Sequence, residues 1–182
     1  MSRTGNLVTP AWWDDLFLKE SFASWLGGLR CSDDLHPERR IRQSFLNRQM
    51  FNALTFDASR NTHAILNEKL HTIQELEGTW DQICYAKSPA VVSMIAAYVG
   101  EDQFFAGVKT FLRKPHSVAT RHDLWEAMSE CGKDVVSFAQ RWITTEGYPV
   151  VLVEKTETGV SLEQKRFLIT GDVEEDDEHV TW

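Results

Sequence analysis

Residues 11–25 read AWWDDLFLKESFASW, and the way this stretch must be wound decides the fold class. At helical spacing Trp13, Leu16, Phe17, Glu20, Ala23 and Gly27 share one face. The opposite side is hardly wetter, carrying Leu18, Phe22, Trp25, Leu26 and Leu29. A helix apolar nearly all round is ordinarily buried, so the carboxylate of Glu20 is the anomaly of the stretch. Burying a lone carboxylate is costly unless it is paired or bound to a metal. On the residues alone three readings stay open: a side chain that reaches solvent, the buried partner of a cation, or a metal ligand.

Composition narrows the setting. A chain of 182 residues, 42% hydrophobic with seven Trp and ten Phe, has material for one cored domain, or one domain and part of another. It contains no run of about eighteen apolar residues, so no transmembrane span is expected. The opening MSRTGNLVTP has no apolar signal core. Cys31, Cys84 and Cys131 lie far apart in no metal-like spacing and read as reduced thiols of a cytoplasmic protein. The net charge of −8 argues against a nucleic-acid surface. Asp172, Glu174, Glu175, Asp176, Asp177 and Glu178 supply six of those eight charges, and the tail that holds them reads as a solvated acidic loop.

Residues 1–147 read as helices joined by short breaks. The first runs from about Asp14 to Leu29 and closes at Gly27 and Gly28. A second starts near His36-Pro37, since proline is tolerated in a first turn, with Ile41, Phe45, Met50 and Phe51 on its apolar side. SRNTHAILNEKLHTIQELEGTW, residues 59–80, is irregular and reads as a long ordered loop. SPAVVSMIAAYVG, residues 88–100, starts with Pro89 and is stopped by Gly100. EDQFFAGVKTFLRKP, residues 101–115, has acids first and Arg113 and Lys114 last, as the helix dipole favours. RHDLWEAMSECG, capped by Asp123 or a neighbour, and KDVVSFAQRWITTEG complete the run. From Tyr148 the period changes: YPVVLVEKT and GVSLEQKRFLI read as a hairpin turning at Glu157-Thr158-Gly159.

Nothing in the spacing supplies co-ligands for Glu20. No HxxxH, HxH or CxxC occurs, and His36, His63, His71, His116, His122 and His179 are scattered; each reads as a surface or internally satisfied histidine. The sequence GNLVTPAWWDDLFLKESFASW, however, resembles the segment that follows the zinc helix in the gluzincin aminopeptidases, the family of aminopeptidase N and the puromycin-sensitive enzyme. ICYAKSPAVVSMIAAYVGEDQFFAGVKTFL, DLWEAM, FAQRWITTEGYPVV and QKRF follow in the family's order. The resemblance runs from Gly5 to Phe167, almost the whole chain. It implies a mainly α fold: the helical C-terminal half of a thermolysin-like catalytic domain over residues 1–147, then a short β-hairpin over 148–182 that begins a β-sandwich domain.

Carried across residue by residue, the resemblance makes Glu20 a zinc ligand, matching the glutamate of NEGFA. It makes Tyr85, from the Y-x-K-G motif, the phenol that donates to the oxyanion of peptide hydrolysis. Asp14 and Asp15 take a second role as groups orienting a ligand, beside the plainer one of first-turn acids. Two positions depart from the family: Lys19-Glu20-Ser21 stands for Asn-Glu-Gly, and Ser88 follows Lys87 where glycine is usual. Lys19 is placed for a helical ion pair with Asp15, and a serine at position 88 adds bulk beside the site. The family's HExxH lies upstream at a distance that sets its second histidine on Met1 here. Both histidine ligands and the general-base glutamate therefore fall outside the 182 residues. The expectation is a part of a zinc-dependent aminopeptidase acting on peptides, silent by itself, with exposed apolar surface that favours a homo-oligomer and no nucleic-acid or membrane partner. The alternative is a non-catalytic helical binding or assembly module that keeps the peptidase scaffold.

Overall fold

The computed structural model describes residues 8–66, 72–78, 80–113, 118–130, 132–178 and 180–182. The expectations for His71, Lys114, His116, Cys131 and His179 lie outside the described residues. The chain is mainly helical. A two-residue strand β1 (Thr9–Pro10) leads into a 3-10 turn, Trp13–Asp15, and then α1, Leu16–Phe22. The helix does not close at Gly27-Gly28 as the sequence suggested. It widens into a π-helical stretch, π1 (Ala23–Cys31), and runs on as α2 (Ser32–Leu35). Neither glycine takes a left-handed conformation, and the Ser32 hydroxyl donates to the Gly27 carbonyl at 2.8 Å, so the backbone there is bonded through rather than terminated.

The second helix is likewise more broken than its periodicity suggests. A 3-10 turn at Pro37–Arg39 is cut off by Arg40 at φ 49. After it come α3 (Ile41–Ser44), π2 (Phe45–Met50) and α4 (Phe51–Asp57). The wider i→i+5 winding turns fewer degrees per residue and shifts the phase downstream. Phe45, Ala53 and Asp57 are buried, while Phe51, expected inward, is 65% exposed. The stretch read as one long loop contains a short helix, α5 (Ile73–Glu77).

The remaining helices fall where the sequence puts them. A third π-helical turn, π3 (Ile83–Lys87), leads into α6, Ser88–Val99, with Pro89 in its first turn and Gly100 at φ 94 as its stop. Next come α7 (Glu101–Leu112), the short strand β2 (Val118–Ala119), α8 (Arg121–Ser129) and α9 (Val135–Thr144). Thr120 and Asp123 form a reciprocal capping box at the start of α8, and Asp134 caps α9. The parallel β1–β2 pair, Thr9 with Val118 and Pro10 with Ala119, was not legible in two residues a side. Among the described residues no single helix is long and apolar enough to cross a membrane.

The core explains which side of the opening helix faces in. Leu18, Phe22, Trp25 and Leu29 are buried. Phe22 stacks on Phe104 at 5.8 Å and Trp25 meets the same ring edge-on at 4.9 Å. The Trp25 indole donates to Ser93 Oγ at 2.7 Å. Burying each such side chain contributes roughly 1.5–3 kcal/mol. The other face is not buried all round as its apolarity suggested: Trp12 is 62% and Trp13 47% exposed. The hairpin is present, β3 (Pro149–Lys155) against β4 (Val160–Arg166) in register Pro149 to Arg166. Its base holds to the helices through buried Leu168 and a bond from Ile169 N–H to the Ala58 carbonyl. Val151, Val153 and Leu162 further out stay exposed. The acidic tail is not simply a solvated loop. It forms α10 (Glu175–Glu178), and Asp177 is buried, paired with Arg60 at 2.8 Å and Arg166 at 3.0 Å.

Candidate active site

Glu20 lies midway along α1 with its side chain 21% exposed, on the half-open face. Its ion pair is with the adjoining Lys19, at 3.9 Å. The helical pair expected between Lys19 and Asp15 is absent because Asp15 is taken elsewhere. Its carboxylate is buried and accepts from the Arg121 guanidinium at 2.9 Å and the Arg121 N–H at 3.2 Å. A buried carboxylate held by both the guanidinium and the backbone N–H of one residue is not free for a flexible exposed ammonium. Asp15 thus ties the start of α1 to the start of α8, while Asp14 beside it is half-buried.

Tyr85 sits on π3, packed beside α1, with its ring 41% exposed. Partial burial pushes its phenol pKa up, and the negative charge of Glu20 and then of Cys84 adds to the rise. The Cys84 thiol is pushed up to about 12, by burial first and then by Glu20 and Asp81. Near neutral pH the phenol is therefore a hydrogen-bond donor and Cys84 an inert thiol. The helix that carries Glu20, α1, packs directly against π3. The two residues that the resemblance singled out thus lie on neighbouring elements.

Beside Tyr85 opens a cavity of ≈ 550 Å³. Ser24 and Gly28 from π1, Phe45 and Gln49 from π2, and Tyr85 and Ala86 from π3 line it. Among the described residues its lining carries no Asp, Glu, Lys, Arg or His. Ser88 does not line it, contrary to the expectation of added bulk. It is buried and donates back to the Cys84 carbonyl. Ser21 is buried too, its hydroxyl donating to the Leu18 carbonyl at 3.4 Å. Both departures from the family glycines are absorbed inside helices.

Two polar contacts flank Tyr85 that the sequence reading missed. Asp81 accepts from the N–H groups of Ile83 at 2.8 Å and Cys84 at 3.3 Å, and its other oxygen meets His63 Nε2 at 2.9 Å. The bond to Asp81 raises the His63 pKa, against burial. Burial pushes Asp81 up, yet the bond to His63 and its charge outweigh that and leave it lowered. On the other side Lys87, 4% exposed, lies 2.8 Å from Asp57, itself 1% exposed. The ammonium also donates to the carbonyls of Gly147 at 2.7 Å and Thr145 at 3.3 Å. Burial lowers the Lys87 pKa despite that partner. A lysine inside the otherwise apolar run ICYAKSPAVV was the one available signal.

A catalytic zinc takes three protein ligands. Among the described residues no three His, Cys, Asp or Glu converge on one point, so these residues do not by themselves fit zinc. Of the cysteines described, Cys31 is exposed, Cys84 is buried and both are free.

Comparison with known proteins gives a consistent assignment. The chain is 38% identical over 177 residues to aminopeptidase 2 of Candida albicans, covering 96% of this chain and 19% of that protein. It is 41% identical over 172 residues to leucyl aminopeptidase of Saccharolobus solfataricus, covering 93% and 22%. With the puromycin-sensitive aminopeptidase of Caenorhabditis elegans the identity is 37% over 188 residues, covering 98% and 19%. The chain thus spans about a fifth of the length of the curated relatives it matches. The model of the peptidase family M1 domain matches residues 2–142, which take in Glu20, Tyr85 and the helices that carry them; the chain belongs to peptidase family M1.

Proposed function

We propose that these 182 residues supply part of a zinc-dependent aminopeptidase centre that removes N-terminal residues from peptides. Tyr85 is the donor to the oxyanion and Glu20 one zinc ligand. The remaining ligands and the base that activates water come from outside residues 1–182. In this reading residues 1–147 are the helical half of a thermolysin-like domain and 148–182 the first strands of a β-sandwich. The observation that carries it is the packing of α1, which bears Glu20, against π3, which bears Tyr85, with Tyr85 lining an uncharged cavity. Attack of water on a peptide carbonyl leaves an oxyanion, and a neutral phenol held by a rigid helix stabilises it without reorganising. By itself the chain is inert, since one carboxylate does not hold zinc.

The test is hydrolysis of aminoacyl-coumarins with added zinc, comparing this chain with a longer form that carries the upstream part of the domain. Turnover is expected only in the longer form, abolished by Glu20→Ala and lowered roughly 10²–10³-fold by Tyr85→Phe. Turnover indifferent to both substitutions refutes the assignment and leaves the non-catalytic module as the reading. Exposed Trp12, Trp13 and the outer valines of the hairpin further favour self-association of the isolated chain.

A further inference from the structure

The two polar contacts that flank Tyr85 converge on one stretch of chain. Asp57, at the end of α4, holds Lys87, two residues beyond Tyr85. His63, six residues after Asp57, holds Asp81, four residues before Tyr85. The stretch between is braced on itself, with the Thr62 hydroxyl donating to Asp57 Oδ1 at 2.6 Å. It is braced on the turn between α9 and β3 as well, where Gly147 N–H donates to the same oxygen at 3.1 Å. Asp81 in turn bonds the N–H groups of Ile83 and Cys84 and, through its carbonyl, that of Tyr85 at 3.0 Å. The helix that carries the phenol is therefore gripped on both sides by charged groups projecting from 57–63.

We propose that residues 57–63 act as a two-point clamp on the Tyr85 helix, with Asp57 and His63 as positioning residues that work through Lys87 and Asp81. This rests on Tyr85 being the functional phenol. None of the four residues lines the cavity; both pairs act on the backbone that aims the ring. Each is more than a packing contact because each is charged and largely withdrawn from water, where such bonds are strong and directional. The His63 arm also titrates. Its ring bonds Asp81 through Nε2 and the Ala64 carbonyl through Nδ1 at 2.8 Å, so only the imidazolium satisfies both acceptors as a donor. The charged groups facing it are Asp81, just ahead of π3, and Asp57 at the end of α4, whose partner Lys87 closes π3. Deprotonation leaves one acceptor without its hydrogen bond and loosens one of the two grips.

The experiment needs no turnover, so its outcome is independent of whether Tyr85 proves catalytic. The full chain is labelled with ¹³C-tyrosine, and the Tyr85 signal is identified by its loss in Tyr85→Phe. It is then followed by NMR from about pH 5 to 9, across the histidine range, beside the His63 imidazole. The Tyr85 ring signal is expected to shift with the same midpoint as His63, above 6.5, while Tyr98 on α6 stays still. His63→Gln, which retains a donor for Asp81, should keep the acid-form Tyr85 signal and abolish its pH dependence. Asp57→Asn should displace the signal at every pH. A Tyr85 signal flat through the His63 titration in the unsubstituted chain overturns the His63 arm. A signal unmoved by Asp57→Asn in a chain of normal circular dichroism overturns the other.

Discussion

The most exacting test of the packing around Tyr85 is removal of the Lys87 ammonium. Lys87→Met keeps length and apolar volume but strands the Asp57 carboxylate, 1% exposed, with the Thr62 hydroxyl and Gly147 N–H as its donors among the described residues. The carbonyls of Gly147 and Thr145 lose a donor as well. Breaking a buried ion pair by deleting one partner costs about 3–5 kcal/mol, a large share of the ~5–15 kcal/mol that holds a domain together. Urea unfolding followed by tryptophan fluorescence at pH 7 should show that loss as a lower midpoint with an unchanged slope. The deficit should shrink in acid. The cost lies in an uncompensated buried charge, and acid conditions remove that charge. Asp57→Asn added to Lys87→Met should recover stability for the same reason. A loss below about 1 kcal/mol, or one that does not change with pH, refutes the claim that this pair carries buried charge.

Other expectations follow from single contacts. Arg121→Ala, which leaves buried Asp15 unpaired, should cost about 3–5 kcal/mol by urea unfolding, whereas Lys19→Ala, on an exposed pair, should stay within about 0.5 kcal/mol. Gly107→Ala places a Cβ 2.8 Å from Met128 Cγ and 2.9 Å from Met128 Cα; overpacking of about 1–3 kcal/mol should exceed the ~1 kcal/mol gain in helix propensity, and a more stable variant would contradict the close approach of α7 and α8. The His63–Asp81 pair stabilises only while both are charged. Its contribution should be full above 3.8 and below 6.5, fading as pH rises through the raised His63 value or falls through the lowered Asp81 value. Unfolding free energies of His63→Gln and the unsubstituted chain should converge in alkali. Sedimentation at high concentration should show dimers or larger species that dissociate in Trp12→Ser/Trp13→Ser, and a clean monomer throughout counts against the exposed tryptophans as a contact surface.

What could be read from the sequence was whatever a local rule fixes. Pro89 and Gly100 bound α6, acids open α7 and the change of period at Tyr148 marks the hairpin, because caps, stops and alternation act over a few residues. Phe51 was misplaced because nothing in FLNRQMF announces an i→i+5 turn, and a single widened turn rotates everything after it. Asp177 was misjudged for another reason: a charge run is solvated by default, and its burial depends on Arg60 and Arg166 arriving from elsewhere. Glu20 and Tyr85 were found through shared motifs, not periodicity. Asp57, His63 and Asp81 were invisible to both routes, since an ion pair between distant positions leaves no spacing to count.

The three π-helical stretches that wall the Tyr85 cavity have a consequence for how such a chain tolerates change. A widened turn is what an α-helix becomes when it takes in one surplus residue and stays hydrogen-bonded. Deleting a single residue from 23–31, from 45–50 or from 83–87 should thus tighten that wall into ordinary α-helix instead of breaking it. Each deletion would rotate its own side of the cavity by a fraction of a turn and redraw which side chains look inward. Length variation of one residue, destructive in most helices, is here a means of reshaping the cavity, at the cost of re-phasing core side chains such as Trp25 and Ile83 on the same turns.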